Sequence, residues 1–202
     1  MRGGKSKWLT PIGFASPTGN IHYKQLMHQT TFTQLRVRPR PGNPAQGWLV
    51  AGALTIPVAL GRGGIRANKR EGDGGTPRGE FRLVRLWWRA DRYPRPRTLL
   101  PAQRITRDVA WSEDPRDRGY NRPFHRAHGA AGDRLWRDDS LYDFIIEIDH
   151  NTQPRVAGRG SAVFIHIARP GLRPTAGCVA LNLPRLRWLL GRVGPHTRIV
   201  AR

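Results

Sequence analysis

The sequence predicts a mainly β fold with one clear helix. Short runs in which apolar residues alternate with other residues recur along the chain, a pattern typical of strands. Glycine and proline account for 23 and 17 of the 202 residues, and they favour turns between these runs. Only residues 183–193 repeat apolar residues at helical spacing. The class is therefore β with a single helix near the C-terminus.

The first strands are predicted between residues 35 and 60. Residues 35–38 alternate Leu-Arg-Val-Arg, and residues 39–44 contain the prolines and glycine of a turn. Residues 47–60 predict a pair of short apolar strands on either side of Gly52.

The middle of the chain is mostly irregular in sequence. Residues 61–79 contain seven glycines and are predicted to be a loop, whereas residues 80–87 are strand-like. Residues 89–137 are rich in proline, aspartate and arginine without helical periodicity. A loop of that length is uncommon inside a domain, so this segment is either a functional lid or substrate wall, or a surface insertion.

The last third is the most regular part. Residues 141–149 predict a strand with Ile145 on one face and Phe144, Ile146 and Ile148 on the other. A turn at residues 151–160 leads to predicted strands at residues 161–167 and 178–181.

A helix is predicted over residues 183–193, followed by a last strand at residues 197–201. Proline at position 184 suits the first turn of this helix, and Gly194 suits its end. The apolar positions fall at i, i+3, i+4 and i+7 and are Leu186, Leu189, Leu190 and Val193.

The domain organisation predicted from these patterns is an N-terminal arm, residues 1–34, and one domain, residues 35–202. The arm is polar and irregular, and Met27 is an alternative start. No export signal is visible in it. The longest uncharged run, residues 47–61, would span about 22 Å as a helix, less than the ~30 Å of a bilayer core, so no transmembrane segment is expected.

The charge of the chain is +21, from 35 Lys and Arg against 14 Asp and Glu, and only four of the 35 are lysines. Such a charge is one feature of nucleic-acid-binding proteins. Binding proteins cluster their cations, however, and here the arginines are spread through every segment without a block of like charge. A nucleic-acid-binding module remains an alternative, although no nucleic-acid partner is expected.

Cysteine content excludes several classes of site. Cys178 is the only cysteine, so neither an internal disulfide nor a multi-cysteine metal site can form. No His-Glu-x-x-His run occurs, and we expect neither a metal nor a cofactor.

One pair of residues carries chemistry. His166 and Cys178 lie in successive predicted strands, eleven residues apart, so the chain can return and bring an imidazole beside a thiol. A neighbouring histidine activates a cysteine nucleophile, and backbone N–H groups at Gly177 and Cys178 would face an oxyanion. The alternative is a core histidine and a core cysteine that never meet.

The residues around this pair resemble the YkuD-type L,D-transpeptidases, in the short, single-domain branch. The resemblance covers roughly residues 35–202 and depends on three runs. They are His166 followed by Thr175-Ala176-Gly177-Cys178-Val179, the run Gly75-Thr76-Pro77-Arg78-Gly79-Glu80-Phe81, and Tyr120-Asn121-Arg122-Pro123.

The resemblance implies a mixed-sheet β-sandwich with a helix packed on it, and a cysteine acyltransferase that acts on peptidoglycan tetrapeptide stems. The cysteine would form a thioester with release of D-alanine, and an amine would then accept the acyl group to give a 3→3 cross-link. An alternative is water as acceptor, which gives an L,D-carboxypeptidase or amidase. Carbapenem-type inhibitors are expected to react, and the family implies a monomer in the periplasm or cell envelope, with a cytoplasmic location left open.

The resemblance also implies roles for individual residues. Cys178 would be the nucleophile and His166 the general base, with the backbone carbonyl of Ile167 orienting the imidazole and Gly177 donating to the oxyanion. The predicted substrate contacts are Arg169, Arg173, Thr175, Tyr120 and Asn121.

Two positions depart from the family pattern. Ala176 stands where a second histidine is common, and Ala180 stands where an arginine is usual. Arg169 and Arg173, between the histidine and the cysteine, are expected to replace the missing cation, because a guanidinium binds a carboxylate through two hydrogen bonds.

Overall fold

The computed structural model describes residues 31–125 and 132–202. This part of the chain contains fourteen strands, one α-helix and a 3₁₀ turn at Pro170–Leu172. The strands of the first half are β1 (Gln34–Arg40), β2 (Asn43–Ala51), β3 (Leu54–Ala59), β4 (Ile65–Arg66), β5 (Thr76–Pro77), β6 (Gly79–Trp88), β7 (Ala102–Arg104) and β8 (Val109–Trp111). The remaining elements are β9 (Pro123–His125), β10 (Asp133–Arg134), β11 (Phe144–Ile148), β12 (Phe164–Ile167), β13 (Val179–Leu181), α1 (Leu183–Leu190) and β14 (Arg198–Ala201).

Nine of the strands form one mixed sheet in the order β11-β12-β13-β3-β2-β1-β14-β6-β7. Because β6 also pairs with β11, the sheet closes on itself. Strand β6 is long enough to do this, since residues 79–82 pair with β14 and residues 83–88 pair with β11. The predicted mainly β class with mixed sheets is confirmed, and its packed layers are opposite walls of one closed sheet.

The single helix lies where the apolar periodicity predicted it, but it ends earlier. The Asn182 side chain accepts a hydrogen bond from Arg185 N at 3.0 Å and caps the N-terminus. At the other end Gly191, and not Gly194, is the C-cap, and its N–H donates to Leu189 O. The helix contributes three buried leucines to the core: Leu186, Leu189 and Leu190.

Two apolar clusters lie on opposite faces of the sheet strands. The inner cluster includes Phe144, Ile146 and Ile148 of β11, as the alternation predicted, while Ile145 of the same strand belongs to the outer cluster. The buried members of the outer cluster are Trp87, Ile105, Val109, Trp111, Leu135, Ile145, Ala162, Phe164 and Cys178.

The prediction that residues 89–137 form one long loop, either a lid or substrate wall or a surface insertion, was wrong in its secondary structure, because the segment contains four short strands. This segment adds β7 to the large sheet and contributes β8, β9 and β10, which form a three-stranded sheet of their own. Strands of two or three residues are too short to show alternation, which explains the error. Val109, Trp111 and Leu135 from this segment cover the outer face of the large sheet.

Residues 1–30 lie outside the described residues, and the predicted arm at residues 1–34 stays a prediction. Phe32 packs against Trp188 of α1, with ring centroids 5.8 Å apart. Within the described ranges, no helix is both long and apolar enough to cross a membrane.

Candidate active site

The predicted catalytic pair lies on two parallel neighbouring strands. His166 of β12 is in register with Ala180 of β13, and Cys178 immediately precedes β13. Residues that occupy equivalent positions in paired strands project to the same face. His166 and Cys178 therefore both face outward, and they line one cavity of about 400 Å³.

The thiol of Cys178 is held by two backbone groups. It donates a hydrogen bond to Ala162 O at 3.3 Å and accepts one from Phe164 N at 3.3 Å. The residue is only 7% exposed. These contacts fix the position of the sulfur beside residues 162–164, which precede and begin β12.

The pKa of the Cys178 thiol is raised to about 12, chiefly by burial. The carboxylates of Asp133 and Glu113 raise it further, whereas the Phe164 N–H bond and the charge of Lys69 act in the opposite direction. Cys178 is therefore a protonated thiol in this resting arrangement.

His166 is oriented by the backbone of the next residue. Its Nδ1 lies 2.8 Å from Ile167 O, the carbonyl expected to orient the ring. Because a carbonyl only accepts, Nδ1 carries the proton and Nε2 keeps a lone pair. Burial is the main cause that lowers the pKa of His166 to about 4, and the charges of Arg137 and Arg169 lower it further. The imidazole is therefore neutral at pH 7.

The two side chains share the cavity without a hydrogen bond between them, because the thiol donates to Ala162 O instead. Proton transfer from Cys178 to His166 therefore requires the S–H bond to turn away from Ala162. Hydrogen bonds between catalytic side chains are often long or poorly aligned until substrate is bound.

The turn at residues 175–178 is closed by Thr175. Its hydroxyl accepts a hydrogen bond from Gly177 N at 3.1 Å and donates one to Cys178 O at 2.7 Å. Gly177 has a φ of +150°, and a Cβ added there would lie 2.8 Å from Gly75 O, so the position requires glycine. The Gly177 N–H is occupied here, and its oxyanion role stays a prediction, as does substrate contact through Thr175.

The cavity wall contains charged side chains of both signs. Arg169 and Arg173, expected from the sequence to bind substrate, line it together with further cationic side chains. The cationic lining residues are Arg62, Lys69, Arg137, Arg169 and Arg173, and the acidic ones are Glu71, Glu113 and Asp133. Partial desolvation inside the cavity, followed by the charges of Asp133 and Glu71, raises the pKa of Glu113 to about 7.

Tyr120 and Asn121 lie behind the cavity wall and do not line the cavity. Both are buried, at 3% and 4% exposure. The Tyr120 hydroxyl donates to Glu71 Oε2, and Asn121 Oδ1 accepts from Trp111 Nε1 at 2.9 Å. Their predicted contact with substrate stays a prediction, and the structure gives them contacts with the protein itself.

Sequence reasoning missed Lys69 as a residue of this site. Its ammonium donates to Asp73 Oδ1 at 2.6 Å and to Arg70 O at 2.5 Å, and the residue is 6% exposed. Burial raises the pKa of Asp73, but the hydrogen bonds from Lys69 and from the Arg70 and Gly75 amides hold it below its usual value. A lysine in a chain whose other cations are nearly all arginines was the available signal.

Comparison with known proteins agrees with the resemblance found in the sequence. A family model described as the L,D-transpeptidase catalytic domain, YkuD, matches residues 43–200. Neither a curated protein nor a solved structure matches the chain. The matched residues include most of the closed sheet and both His166 and Cys178. Because the match covers most of its length, the chain belongs to the YkuD family of L,D-transpeptidase catalytic domains.

Proposed function

We propose that the protein is an L,D-transpeptidase that acylates Cys178 with a peptidoglycan tetrapeptide stem. The Cys178 sulfur attacks the carbonyl of the third stem residue, the bond to D-alanine breaks, and a thioester forms. The amine of a second stem then attacks the thioester, which gives a 3→3 cross-link and frees the thiol. One observation carries this proposal: within the family's catalytic domain, the only cysteine and a neutral, oriented histidine line the same cavity.

His166 moves the protons in this proposal. Its Nε2 takes the thiol proton as sulfur attacks, gives a proton to the leaving D-alanine amine, and later takes one from the acceptor amine. Burial disfavours both the isolated thiolate and the isolated imidazolium. The two charges form together, however, so each supplies the counter-charge that the other lacks.

The arginines that line the cavity support a carboxylate-bearing substrate. Arg169 and Arg173 line the cavity beside the turn that holds Cys178. A guanidinium offers two parallel N–H donors to a carboxylate, which fixes orientation as well as charge. Ala180 is fully buried beside β12 and offers no polar group, so these arginines would bind the stem carboxylates.

The cellular setting follows from the proposed substrate. Peptidoglycan stems place the enzyme in the cell envelope, where it would act as a monomer without a cofactor. Carbapenems present a strained acyl carbonyl and would form a covalent adduct with Cys178.

Intact mass after addition of a carbapenem tests the nucleophile. The expected result is one adduct on the wild-type protein and none on Cys178→Ala, with acylation lost by more than a thousandfold. Cys178→Ser is the matched control for the shape of the site, since a hydroxyl is a far weaker nucleophile than a thiolate. An adduct of equal rate on Cys178→Ala would overturn the assignment.

Disaccharide-tetrapeptides test the reaction. Release of D-alanine, together with a dimer mass when a second stem is present, is the result expected for cross-linking. Release of D-alanine with only a tripeptide product, in the presence of acceptor stems, would show that water is the acceptor and would overturn the cross-linking part of the proposal.

A further inference from the structure

Residues 160–162 form the short segment that contacts the nucleophile. Three side chains that are distant from it in sequence hold it in place, two through its backbone amides and one through the Ser161 hydroxyl. The Ala162 carbonyl accepts the hydrogen bond of the Cys178 thiol. Ala162 has a φ of +50°, a left-handed conformation that non-glycine residues adopt only when their surroundings enforce it. Contacts with the rest of the protein therefore hold Ala162 in this conformation.

Tyr120 and Glu71 hold the first two residues of this segment. The Tyr120 hydroxyl accepts a hydrogen bond from Gly160 N at 3.0 Å and donates one to Glu71 Oε2 at 2.5 Å. The same Glu71 oxygen accepts from Ser161 Oγ at 2.7 Å. The backbone amide of Gly160 and the hydroxyl of Ser161 thus both donate hydrogen bonds to the Tyr120–Glu71 pair.

Asn121 holds the third residue. Its Oδ1 accepts from Ala162 N at 3.2 Å and from Trp111 Nε1 at 2.9 Å, while its Nδ2 donates to His150 O at 3.1 Å and Asn151 O at 2.9 Å. All of the donors and acceptors of this amide side chain are therefore engaged. A side chain with four such bonds is fixed, and it transmits its position to the Ala162 amide.

We propose that Glu71, Tyr120 and Asn121 are positioning residues that act on Cys178 through the backbone of residues 160–162. They set the position of the Ala162 carbonyl, which holds the thiol in its resting, protonated arrangement and fixes the sulfur relative to His166. The proposal depends on the proposed function, since it takes Cys178 as the nucleophile. It gives the Tyr-Asn run a role other than the predicted contact with substrate.

The physical effect follows from the carbonyl dipole. An oxygen that accepts the S–H bond favours the protonated thiol, because a thiolate at the same place would face its negative end. We call Glu71, Tyr120 and Asn121 the clamp. Loss of the clamp therefore makes the thiol easier to ionise but leaves the sulfur less precisely placed relative to His166. The charged and titratable side chains that line the cavity around Cys178 are Arg62, Lys69, Glu71, Glu113, Asp133, Arg137, Tyr142, His166, Arg169 and Arg173.

The Tyr120→Phe variant tests the proposal in the full-length protein. It removes the hydroxyl that joins Gly160 to Glu71 and leaves the ring in place. With tetrapeptide stems we expect kcat for D-alanine release to fall about tenfold while KM stays within twofold. Tyr93→Phe is the matched control, because the Tyr93 ring packs on Phe144 in the inner cluster, with centroids 4.8 Å apart, and lies outside the cavity. It should leave both constants unchanged.

Alkylation of Cys178 by iodoacetamide gives a readout that does not depend on the substrate being a stem peptide. We expect the midpoint of its pH profile to move down in Tyr120→Phe and to stay in place in Tyr93→Phe, with thermal unfolding recorded for each. If the proposed function fails, no variant is acylated by a stem or releases D-alanine, yet this shift still appears. Ser161→Ala removes one hydrogen bond of the network, and the midpoint of its alkylation profile should move down by a smaller amount. This variant also tests the proposal if Tyr120→Phe does not fold.

Two results would overturn the proposal. An unchanged alkylation profile together with unchanged kcat would show that the segment keeps its position without the clamp. A rise in KM with kcat unchanged would show instead that Tyr120 contacts substrate, as the sequence predicted.

Discussion

The two faces of strand β12 differ in what they demand of a side chain. Ile165 and Ile167 face the interior of the closed sheet and belong to the inner apolar cluster. Phe164 and His166, one residue away in each case, face the outer cluster and the cavity. On the inner face the side chains must fit the packed core in volume and shape. On the outer face position 166 must also supply an imidazole nitrogen to the cavity.

The outer face is as buried as the inner one, yet it is chemically different. His166 is 6% exposed and Ile165 is fully buried. The outer side, however, combines an apolar cluster with a cavity lined by polar and charged side chains, and the polar groups supply hydrogen bonds as well as contacts. Burial alone therefore does not distinguish structural from catalytic positions in this fold.

Replacement of the outer histidine should have the largest effect. In His166→Gln the side chain has no basic nitrogen, so carbapenem acylation of Cys178 should fall by about 10²–10⁴-fold, the usual contribution of general base catalysis. Stopped-flow or intact-mass kinetics measure it. The urea midpoint at pH 7 should change little. If the variant kept more than a tenth of the wild-type rate, another group would have to be the base.

Replacement of the inner isoleucine should affect stability instead. Ile165→Ala leaves a cavity in a fully packed region, which costs about 2–5 kcal/mol of unfolding free energy. Urea denaturation measures this cost, and Ile165→Val is the graded control, expected to cost about 0.5–1.5 kcal/mol. The acylation rate per folded molecule should match the wild type. A rate loss equal to that of His166→Gln would contradict the division between the two faces.

Lowering the pH should reduce the unfolding free energy through His166 on the outer face, by less than the largest cost expected for Ile165→Ala. The folded pKa of His166 is about 4 against an ordinary 6.5, so the unfolded state binds more protons between these values. Stability therefore falls as pH drops from about 6.5 to 4. At pH 4.5 the loss due to this group is about 2–3 kcal/mol, at 1.36 kcal/mol per pKa unit.

The measurement is the difference in unfolding free energy between pH 7 and pH 4.5, for the wild type and His166→Gln. The variant should lose less, because it lacks the buried imidazole, and carboxylates that titrate in the same range cancel in the comparison. Equal losses would mean that His166 does not stay neutral and buried in the folded state.

Local patterns predicted much of the fold. The alternation of residues 144–148 assigned each side chain to its face, and helical spacing located α1 to within three residues at its C-terminal end. The errors fall where strands are short, as in β8, β9 and β10, because two or three residues do not establish a period.

The proposed catalytic pair follows from the spacing of His166 and Cys178 and from family motifs, whereas the contacts that support the two residues do not. Tyr120 contacts Glu71 across 49 residues of sequence, and Cys178 contacts Ala162 across 16. No periodicity or short motif encodes the partner in such a contact. The sequence indicated Tyr120 and Asn121 as site residues, but no pattern in it shows that they lie outside the cavity lining.

The sequence by itself determined the β class, the helix near the C-terminus and the identity of the proposed nucleophile and base, because these depend on residue type and on spacing along the chain. The tertiary structure alone decided that the thiol donates to Ala162 O, that the Gly177 N–H donates to the Thr175 hydroxyl, and that Lys69 lines the cavity. These features depend on how separate loops meet over the outer face of the sheet. Their positions come from long-range packing and hydrogen bonding, which strand and helix patterns do not record.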